Sequence, residues 1–150
     1  MGIVIHGSRT FTMPNQVKDI MTKNPMTVLK DDSLSKIIYS MSSYHIDHLP
    51  VVDKSKKLIG VLSKTDLYQK AMNLAQKTSG SSYNNMILEN STAEEIMTKE
   101  PVSVSPEDSV SLAIKLLLKG NFHALPVVEN DVVVGIISSQ DILENMIQKD

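Results

Sequence analysis

Apolar positions along the chain alternate between a helical spacing and short continuous runs. After a short strand predicted at 27–29, apolar residues at i, i+3, i+4 and i+7 indicate a helix that buries one stripe. Continuous apolar runs at 49–52 and 58–62 predict two strands, and a second helix is predicted from Thr65 and Asp66 onward. The stripes consist of Leu34, Ile37, Ile38 and Met41 in the first helix and of Leu67, Ala71, Leu74 and Ala75 in the second.

The same succession of elements recurs in the second half of the chain. A strand is predicted at 102–104, a helix after it, two strands at 125–128 and 132–137, and a last helix near Asp141. The helical stripes here are Val110, Ala113, Ile114 and Leu117, and then Ile142, Met146 and Ile147. The order β-α-β-β-α, present twice, predicts an α+β fold.

Capping and turn residues mark the boundaries of these elements. Ser33 and Ser109, each preceded by an aspartate, offer side-chain oxygens to the first N–H groups of the two stripe-bearing helices. Asn130 and Asp131 form a two-residue connection between apolar runs, which is typical of a tight hairpin.

Sequence identity accompanies the repeated pattern. The tetrapeptide Ile-Met-Thr-Lys occurs at 20–23 and at 96–99, and 14 of 37 positions are identical between 17–53 and 93–129. The two halves are therefore copies of one unit of about 50 residues. We expect the copies to pack as a pseudo-twofold pair, in which each covers an apolar face of the other.

The repeat divides the chain into four predicted segments. An N-terminal extension at 1–16, with a short strand predicted at 3–5, precedes the first repeat at 17–76. Residues 77–91 have the Ser, Gly and Asn content of a linker, and the second repeat occupies 92–150.

Composition and charge narrow the range of functions. The 15 basic and 17 acidic side chains give a net charge of −2, and the absence of Trp also argues against nucleic-acid binding. The absence of cysteine excludes disulfides, thiolate chemistry and cysteine–zinc sites.

His45 and His48 have no obvious third ligand near them, so no metal site is predicted. Apolar runs are far shorter than the ~20 residues of a membrane span, and the first residues lack a basic leader. We therefore expect a cytoplasmic protein without membrane insertion.

A junction that carries hydroxyl and carboxylate groups joins a strand to a helix in both copies. The pattern Gly-x-x-Ser-x-x-Asp ends with Ser63 and Asp66 in the first copy and with Ser138 and Asp141 in the second. A helix N-terminus attracts anions such as phosphate, and a carboxylate accepts two hydrogen bonds from a vicinal diol such as ribose. The junction therefore has the groups that bind a nucleoside phosphate. The same residues also serve as ordinary helix caps, and duplication copies caps as readily as sites.

Taken together, these motifs resemble the tandem CBS (cystathionine-β-synthase) domain pair, or Bateman module. The resemblance rests on the Ile-Met-Thr…Pro opening, the Asp-x-Ser-Leu helix start, the segment His-Leu-Pro-Val-Val-Asp at 48–53 and the Gly-x-x-Ser-x-x-Asp junctions, and it covers residues 17–147. It implies two β-α-β-β-α repeats, regulation rather than catalysis, and clefts between the repeats that bind adenosine-containing ligands.

The resemblance also assigns ligand contacts to matching positions. In the family the aspartate holds the ribose hydroxyls, the hydroxyl side chains approach phosphate, and the first strand with the Leu-Pro segment faces the base. The implied nucleotide-binding residues are Ser63, Thr65 and Asp66 in the first copy and Ser138, Gln140 and Asp141 in the second. The implied pocket walls are Met26, Thr27, Val28, His48, Leu49 and Pro50, and then Val102, Ser103, Val104, Ala124, Leu125 and Pro126. Because Ala124 replaces His48 and Gln140 replaces Thr65, we expect the second site to hold phosphate less well.

The expected function is that of a stand-alone regulatory module that senses AMP, ADP, ATP or S-adenosylmethionine and signals to an effector protein. The ligand would be regulatory, and no cofactor is required. Family pairs associate through their helices, so a homodimer is expected. The alternative is a structural or interaction module without a functional nucleotide site, and an enzyme is the third option.

Overall fold

The computed structural model describes residues 2–5, 9–12, 15–76 and 81–147. The mixture of sheets and helices confirms the α+β class. The elements run in the order β1 (Gly2–Ile5), β2 (Arg9–Thr12), a 3-10 helix (Val17–Asp19), β3 (Thr22–Lys23), β4 (Val28–Leu29), α1 (Leu34–Tyr44), β5 (His48–Val52), β6 (Leu58–Ser63), α2 (Lys64–Gln76), α3 (Ser81–Asn90), α4 (Ala93–Ile96), β7 (Thr98–Lys99), α5 (Val110–Gly120), β8 (Ala124–Glu129), β9 (Val132–Ser138) and α6 (Ser139–Ile147).

The chain divides into two compact units, and neither is a simple half of the sequence. The first-repeat unit comprises Met26–Pro101, and the second-repeat unit comprises Met1–Pro25 together with Val102–Asp150. The Ile-Met-Thr-Lys segment of each repeat therefore belongs to the unit that is built on the other repeat.

The first-repeat unit is built on a four-stranded sheet of order β4-β5-β6-β7. β4 runs parallel to β5, with Val28 beside Val51, whereas the β5–β6 and β6–β7 pairs are antiparallel. A side chain at Gly60 of β6 would overlap Met97, which precedes β7. The glycine therefore lets the opening segment of the second repeat approach the sheet closely.

The second-repeat unit has a three-stranded sheet of order β3-β9-β8. β3 is antiparallel to β9 beside Gly135, and Met21 packs against that glycine as its counterpart does in the other unit. The strand predicted at 102–104 is reduced to a single bridge, in which Val104 lies beside Val127.

Each unit has its own hydrophobic core, and the predicted helical stripes supply much of it. The fully or nearly fully buried stripe residues are Leu34, Ile37, Met41 and Leu67 in the first-repeat unit and Val110, Ala113, Leu117 and Ile142 in the second-repeat unit. Truncating a buried Leu, Ile or Met to Ala typically costs about 2–5 kcal/mol, so these stripes hold the helices to their sheets.

Serine caps begin both stripe-bearing helices, as predicted. Ser33 Oγ accepts a hydrogen bond from the Lys36 N–H at 3.2 Å, and Ser109 Oγ accepts one from the Leu112 N–H at 3.0 Å. Each cap satisfies one of the first N–H groups of its helix, which have no partner within the helix.

Two hairpins confirm turns or strands that the sequence predicts. In the N-terminal extension β1 and β2 form an antiparallel hairpin that includes the strand predicted at 3–5. Asn130 and Asp131 both have positive φ, 51° and 67°, as a type I′ turn requires. None of the helices in the described part of the chain combines the length and hydropathy of a membrane span.

Two further features depart from the sequence-based picture. Residues 81–90, within the linker, form α3, which packs against α1 and α2 and places Leu88 against the core of the first-repeat unit. Its Ser and Asn residues are weak helix formers, so packing rather than local propensity explains this helix. Ile147, assigned to the apolar stripe of the last helix, is exposed.

Candidate functional site

The strand-to-helix junction of the first-repeat unit lies at one edge of its sheet. β6 ends at Ser63 and α2 begins at the next residue, so no loop separates the strand from the helix N-terminus. Across the ladder Ser63 pairs with His48, the first residue of β5. The Lys64 N–H donates to the Asp47 carbonyl at 2.7 Å, which fixes the start of α2 beside the start of β5.

The segment before β4 reaches the same edge. Because β4 is parallel to β5, with Val28 beside Val51, the preceding Thr27 and Met26 extend toward the end of the sheet where β5 begins. Thr27 is exposed and Met26 is 37% exposed. The predicted residues at this edge, which we call the first edge, are Met26, Thr27, His48, Ser63, Thr65 and Asp66.

The second-repeat unit has a matching junction. β9 ends at Ser138, which pairs with Ala124 at the start of β8, and α6 begins at the next residue. The Ser139 N–H donates to the His123 carbonyl at 3.0 Å. The start of α6 is therefore tied to the residue before β8, as α2 is tied to the residue before β5.

The first strand of the second repeat is attached to β8 through one residue. The Val104 N–H donates to the Pro126 carbonyl at 3.1 Å, and the Val104 carbonyl accepts from the Val128 N–H at 2.8 Å. The two residues before it extend toward the end of the sheet where β8 begins. The predicted residues at this second edge are Val102, Ser103, Ala124, Ser138, Gln140 and Asp141.

The remaining predicted wall residues lie in the hydrophobic cores. They are Val28, Leu49 and Pro50 in the first-repeat unit and Val104, Leu125 and Pro126 in the second-repeat unit. Their side chains hold in place the strands that form the edges. Met26 and Val102, which are 37% and 40% exposed, provide the apolar surface that a planar base could contact.

Both edge serines cap the helices that follow them. The Asp66 N–H donates to Ser63 Oγ at 3.1 Å, and the Asp141 N–H donates to Ser138 Oγ at 3.0 Å. This is the capping arrangement that the sequence leaves open as an alternative. A hydroxyl that accepts a hydrogen bond still has its own O–H to donate, so capping is compatible with a contact to a phosphate oxygen.

The two aspartate carboxylates differ. Asp141 Oδ2 accepts a hydrogen bond from the Ser138 N–H at 2.9 Å, which completes a reciprocal capping box. Asp66 is exposed, and its carboxylate accepts no hydrogen bond from the residues that the structure describes. Both oxygens of Asp66 can therefore receive the hydroxyls of a diol, whereas Asp141 shares one oxygen with its own backbone.

The second hydroxyl position differs as well. Thr65 is exposed in the first turn of α2. Gln140, at the matching position of α6, donates through Nε2 to Glu144 Oε1 at 2.8 Å, one turn further along the helix. The side-chain amide of Gln140 is thus directed along α6, and the second edge lacks a hydroxyl at this place.

The histidines considered for metal binding lie in different structural settings. His45 ends α1 in the left-handed region with a φ of 53°, whereas His48 is the first residue of β5. Across the described parts of the chain, no three His, Asp or Glu side chains are grouped in a way that could hold a metal ion.

The sequence analysis did not predict that the Ile-Met-Thr-Lys segment that opens each repeat packs in the unit built on the other repeat. We call this the exchange of opening segments. Gly60 and Gly135 each precede an edge serine, and Met97 and Met21 pack against them. A glycine inside a strand indicates the close approach of another segment, so the repeated Gly was the available signal. The sequence does not say which opening segment packs there.

The family model of the CBS domain matches this chain twice, at residues 17–73 and 93–148. The CBS domain pair of protein MJ0100, solved in complex with 5′-methylthioadenosine and S-adenosyl-L-methionine, is 30% identical with a TM-score of 0.74, covering 90% of this chain and 98% of that one. CBSX2 in complex with AMP is 26% identical with a TM-score of 0.74, covering 91% of this chain and 98% of that one.

Curated relatives of the chain are much longer. The L-aspartate semialdehyde sulfurtransferase of Methanocaldococcus jannaschii is 32% identical over 127 residues, which are 84% of this chain and 22% of that protein. The homoserine O-acetyltransferase of Methanococcus vannielii is 32% identical over 128 residues, which are 84% of this chain and 24% of that protein. The chain thus spans about a quarter of the length of these relatives, and no enzymatic activity follows from their names.

Proposed function

The chain belongs to the CBS domain family, and we propose that it is a regulatory CBS pair that binds an adenosine-containing ligand at its sheet edges. In this proposal the edge aspartate accepts the ribose hydroxyls, and Met26 or Val102 faces the base. The helix N-terminus and the hydroxyl side chains face phosphate where the ligand has one. The candidate ligands are AMP, ADP, ATP and S-adenosylmethionine.

The observation that carries this proposal is the exposure of Asp66 and the lack of a hydrogen bond to its carboxylate among the described residues. A carboxylate that serves only as a cap is engaged by backbone, as Asp141 is. Asp66 instead lies exposed in the first turn of the 13-residue helix α2 without a hydrogen-bond donor among the described residues. It stands beside the capping hydroxyl of Ser63 and the exposed hydroxyl of Thr65. A vicinal diol next to a phosphate group matches this set of acceptors and donors.

The ligands of related pairs support the adenosine part of the proposal. MJ0100 was solved with 5′-methylthioadenosine and S-adenosyl-L-methionine, and CBSX2 was solved with AMP. These ligands share adenosine and differ in what is attached to its 5′ position. The ribose and base contacts are therefore the ones that we carry over to this chain.

The ligand would regulate the chain through a difference in its affinity for two conformations. A ligand changes the population of a conformation only to the extent that it binds that conformation better than another. We propose that the ligand favours one conformation of the chain and that an effector protein distinguishes this conformation from the ligand-free one. The edges would then act as a sensor rather than as a catalytic site.

Exposed apolar side chains on the helices support a homodimer. Leu118 of α5 and Leu143 and Ile147 of α6 are each more than half exposed, as are Tyr39 of α1 and Met72 of α2. Burial of these side chains in an interface would remove apolar surface from water, and symmetric dimers are the commonest oligomers.

Thermal unfolding with a panel of ligands tests the proposal. A ligand at 100 times its Kd adds ~2.7 kcal/mol to the free energy of unfolding, so AMP, ADP, ATP or S-adenosylmethionine should raise Tm by several degrees. GMP and inorganic phosphate serve as controls, and mass spectrometry of the denatured protein establishes that it started ligand-free. If none of the four raises the Tm of ligand-free protein, the proposed function is contradicted.

A second candidate function, a structural or interaction module, is favoured by the serine caps and by the reciprocal capping box at Asp141. These contacts explain the Ser-x-x-Asp pattern without a ligand. The same ligand panel distinguishes the two functions, because a module of this kind shows no adenosine-dependent change in Tm.

A further inference from the structure

Lys70, in the second turn of α2, donates through its ammonium group to the Ile96 carbonyl oxygen at 2.6 Å. Both residues belong to the first-repeat unit, Met26–Pro101. Ile96 is buried, and the hydrogen bond between the two residues is partly buried. Hydrogen bonds from a charged donor are roughly twice as strong as neutral ones. Lys70 therefore joins α2 to the end of α4.

The acceptor of this hydrogen bond is itself held in place. Ile96 is the last residue of α4, and lysine side chains commonly bind the carbonyls that a helix leaves unpaired at its end. The next residue, Met97, donates its N–H to the Ala93 carbonyl at 2.8 Å, and its side chain packs against Gly60 of β6. The carbonyl that Lys70 binds thus belongs to a segment that is fixed to the central sheet of the same unit.

The beginning of α2 is fixed at a second place. The Lys64 N–H donates to the Asp47 carbonyl at 2.7 Å, and the Asp66 N–H donates to Ser63 Oγ at 3.1 Å. Lys70 lies one helical turn after Asp66. The edge aspartate therefore lies between two contacts that hold α2, one at the first residue of the helix and one in its second turn.

The spacing of Asp66 and Lys70 would ordinarily favour an ion pair. An aspartate and a lysine four residues apart lie on the same face of a helix. At the start of α1 this spacing does give an ion pair, in which Lys36 Nζ lies 3.0 Å from Asp32 Oδ1. Within the described ranges no ion pair joins Asp66 to Lys70, whose ammonium is directed to the Ile96 carbonyl instead. The Asp66 carboxylate is thereby left available to other donors.

The matching position of the second-repeat unit differs. Asn145 lies four residues after Asp141 in α6, as Lys70 lies four residues after Asp66 in α2. Asn145 Oδ1 is buried and accepts no hydrogen bond from the residues that the structure describes. Because the asparagine amide is uncharged, this position cannot supply a charge-assisted hydrogen bond from an ammonium group. The contact made by Lys70 is therefore a feature of the first-repeat unit.

We propose that Lys70 is a positioning residue of the first edge. Its hydrogen bond to the Ile96 carbonyl fixes the first turns of α2 and keeps the ammonium away from Asp66, so that the carboxylate is ready to accept the ribose hydroxyls. The ribose part of this inference rests on the proposed function, whereas the anchoring of α2 does not require a ligand. A binding group that is already in place lowers the cost of ordering it when the ligand binds.

Amide hydrogen exchange measured by NMR in the full, ligand-free chain tests the anchor. Lys70→Met removes the ammonium but keeps an unbranched apolar side chain. Exchange at the Lys64 and Asp66 N–H groups should quicken about two- to tenfold, the range that corresponds to the net contribution of one hydrogen bond. Lys70→Arg keeps a charged donor and should restore slow exchange.

Gln69→Met is the matched control, since it makes the same replacement at the adjacent exposed position of α2. It should leave exchange at the Lys64 and Asp66 N–H groups unchanged. Unchanged exchange in Lys70→Met, or an equal acceleration in Gln69→Met, would overturn the inference.

Calorimetry with AMP and 2′-deoxy-AMP tests whether Lys70 acts on the ribose contact. In an Asp141→Ala background, which weakens the second edge, Lys70→Met should weaken AMP binding about two- to tenfold. It should weaken 2′-deoxy-AMP binding less, because that ligand lacks one of the hydroxyls that Asp66 would accept. Lys70→Arg should bind both ligands as the background chain does. Equal losses for the two ligands would indicate a purely structural role and contradict the proposal.

A double-mutant cycle with Asp66→Ala completes the experiment. If Lys70 acts through Asp66, Lys70→Met should add less than about a twofold loss of AMP affinity once the carboxylate is gone. Fully additive losses would show that it acts elsewhere. If AMP binds and Lys70→Met changes neither exchange nor affinity, the inference fails while the proposed function stands. A chain that binds neither AMP nor S-adenosylmethionine contradicts the proposed function, and the ligand-free exchange result then decides the inference.

Discussion

The first-repeat and second-repeat units share a scaffold but differ at their edges. In both units a serine pairs with the first residue of the neighbouring strand, and a glycine receives a methionine from the opening segment of the other repeat. At the edges themselves Asp66 has no hydrogen-bond donor among the described residues, whereas Asp141 is engaged by the Ser138 N–H. Duplication has preserved the contacts that hold strand and helix together, and the groups that would meet a ligand have diverged.

The residue that pairs with the edge serine also differs between the two units. His48 pairs with the edge serine in the first-repeat unit, and Ala124 takes the same place in the second. An imidazole ring can donate hydrogen bonds to anionic oxygens, whereas a methyl group cannot. The first edge also has the hydroxyl of Thr65 where the second edge has the amide of Gln140. We therefore expect the first edge to prefer the more highly phosphorylated ligand.

The largest expected effect is on nucleotide affinity and comes from removing the edge carboxylates one at a time. Asp66→Ala should weaken ATP binding by roughly ten- to hundredfold, because hydrogen bonds to a charged group contribute about 1.5–3 kcal/mol. Asp141→Ala should weaken it less, since that carboxylate already shares an oxygen with its own backbone. Isothermal titration calorimetry with ATP measures both losses.

Two further variants control this comparison. Asp66→Asn keeps the shape of the side chain but removes its charge, and Asp31→Ala removes an exposed carboxylate near α1. We expect Asp66→Asn to lose affinity and Asp31→Ala to bind as the unsubstituted chain does. A larger loss in Asp141→Ala than in Asp66→Ala would show that the phosphate-binding groups belong to the second edge.

The shared scaffold predicts equal effects where the two units match. Ser33→Ala and Ser109→Ala each remove a side-chain N-cap of the same geometry, and each should lower the free energy of unfolding by about 1 kcal/mol. Urea denaturation measures both, with Ser33→Asp and Ser109→Asp as variants that retain a capping oxygen. Losses that differ several-fold between the two positions would show that the likeness of the scaffolds does not extend to their energetics.

The sequence predicts this scaffold well because its signals are local. Helical stripes, serine caps and the Asn130–Asp131 turn each depend on residues within a few positions of one another. The structure has both caps, the turn and most of the stripe residues that it describes, with Ile147 as an exposed exception. The serine and aspartate of each edge were found in the same way, from the Ser-x-x-Asp spacing, whereas the other edge residues follow from the resemblance to the CBS pair. The difference in hydrogen bonding between Asp66 and Asp141 could not be predicted in this way, because both motifs have a serine and an aspartate at the same positions.

Two other features depend on distant partners and left little local signal. A two-residue strand such as Thr22–Lys23 does not reveal which sheet it joins, so the exchange of opening segments appears only in the structure. Helix α3 lies in a Ser- and Asn-rich segment, and its contact with the core through Leu88 explains it better than its composition does.

The smallest expected effect concerns the two turns that contain Asn24 and Glu100. Asn24 and Glu100 both adopt positive φ, 47° and 48°, but Asn tolerates the left-handed region better than Glu, whose side chain gains no local hydrogen bond there. Glu100→Asn should therefore raise the free energy of unfolding by about 0.5–1 kcal/mol, and Asn24→Glu should lower it by a similar amount. Urea denaturation of the two variants measures the difference, and Glu100→Gln, which keeps the backbone cost but removes the charge, is the control. If Glu100→Gln stabilises the chain as much as Glu100→Asn does, charge rather than backbone conformation distinguishes the two turns.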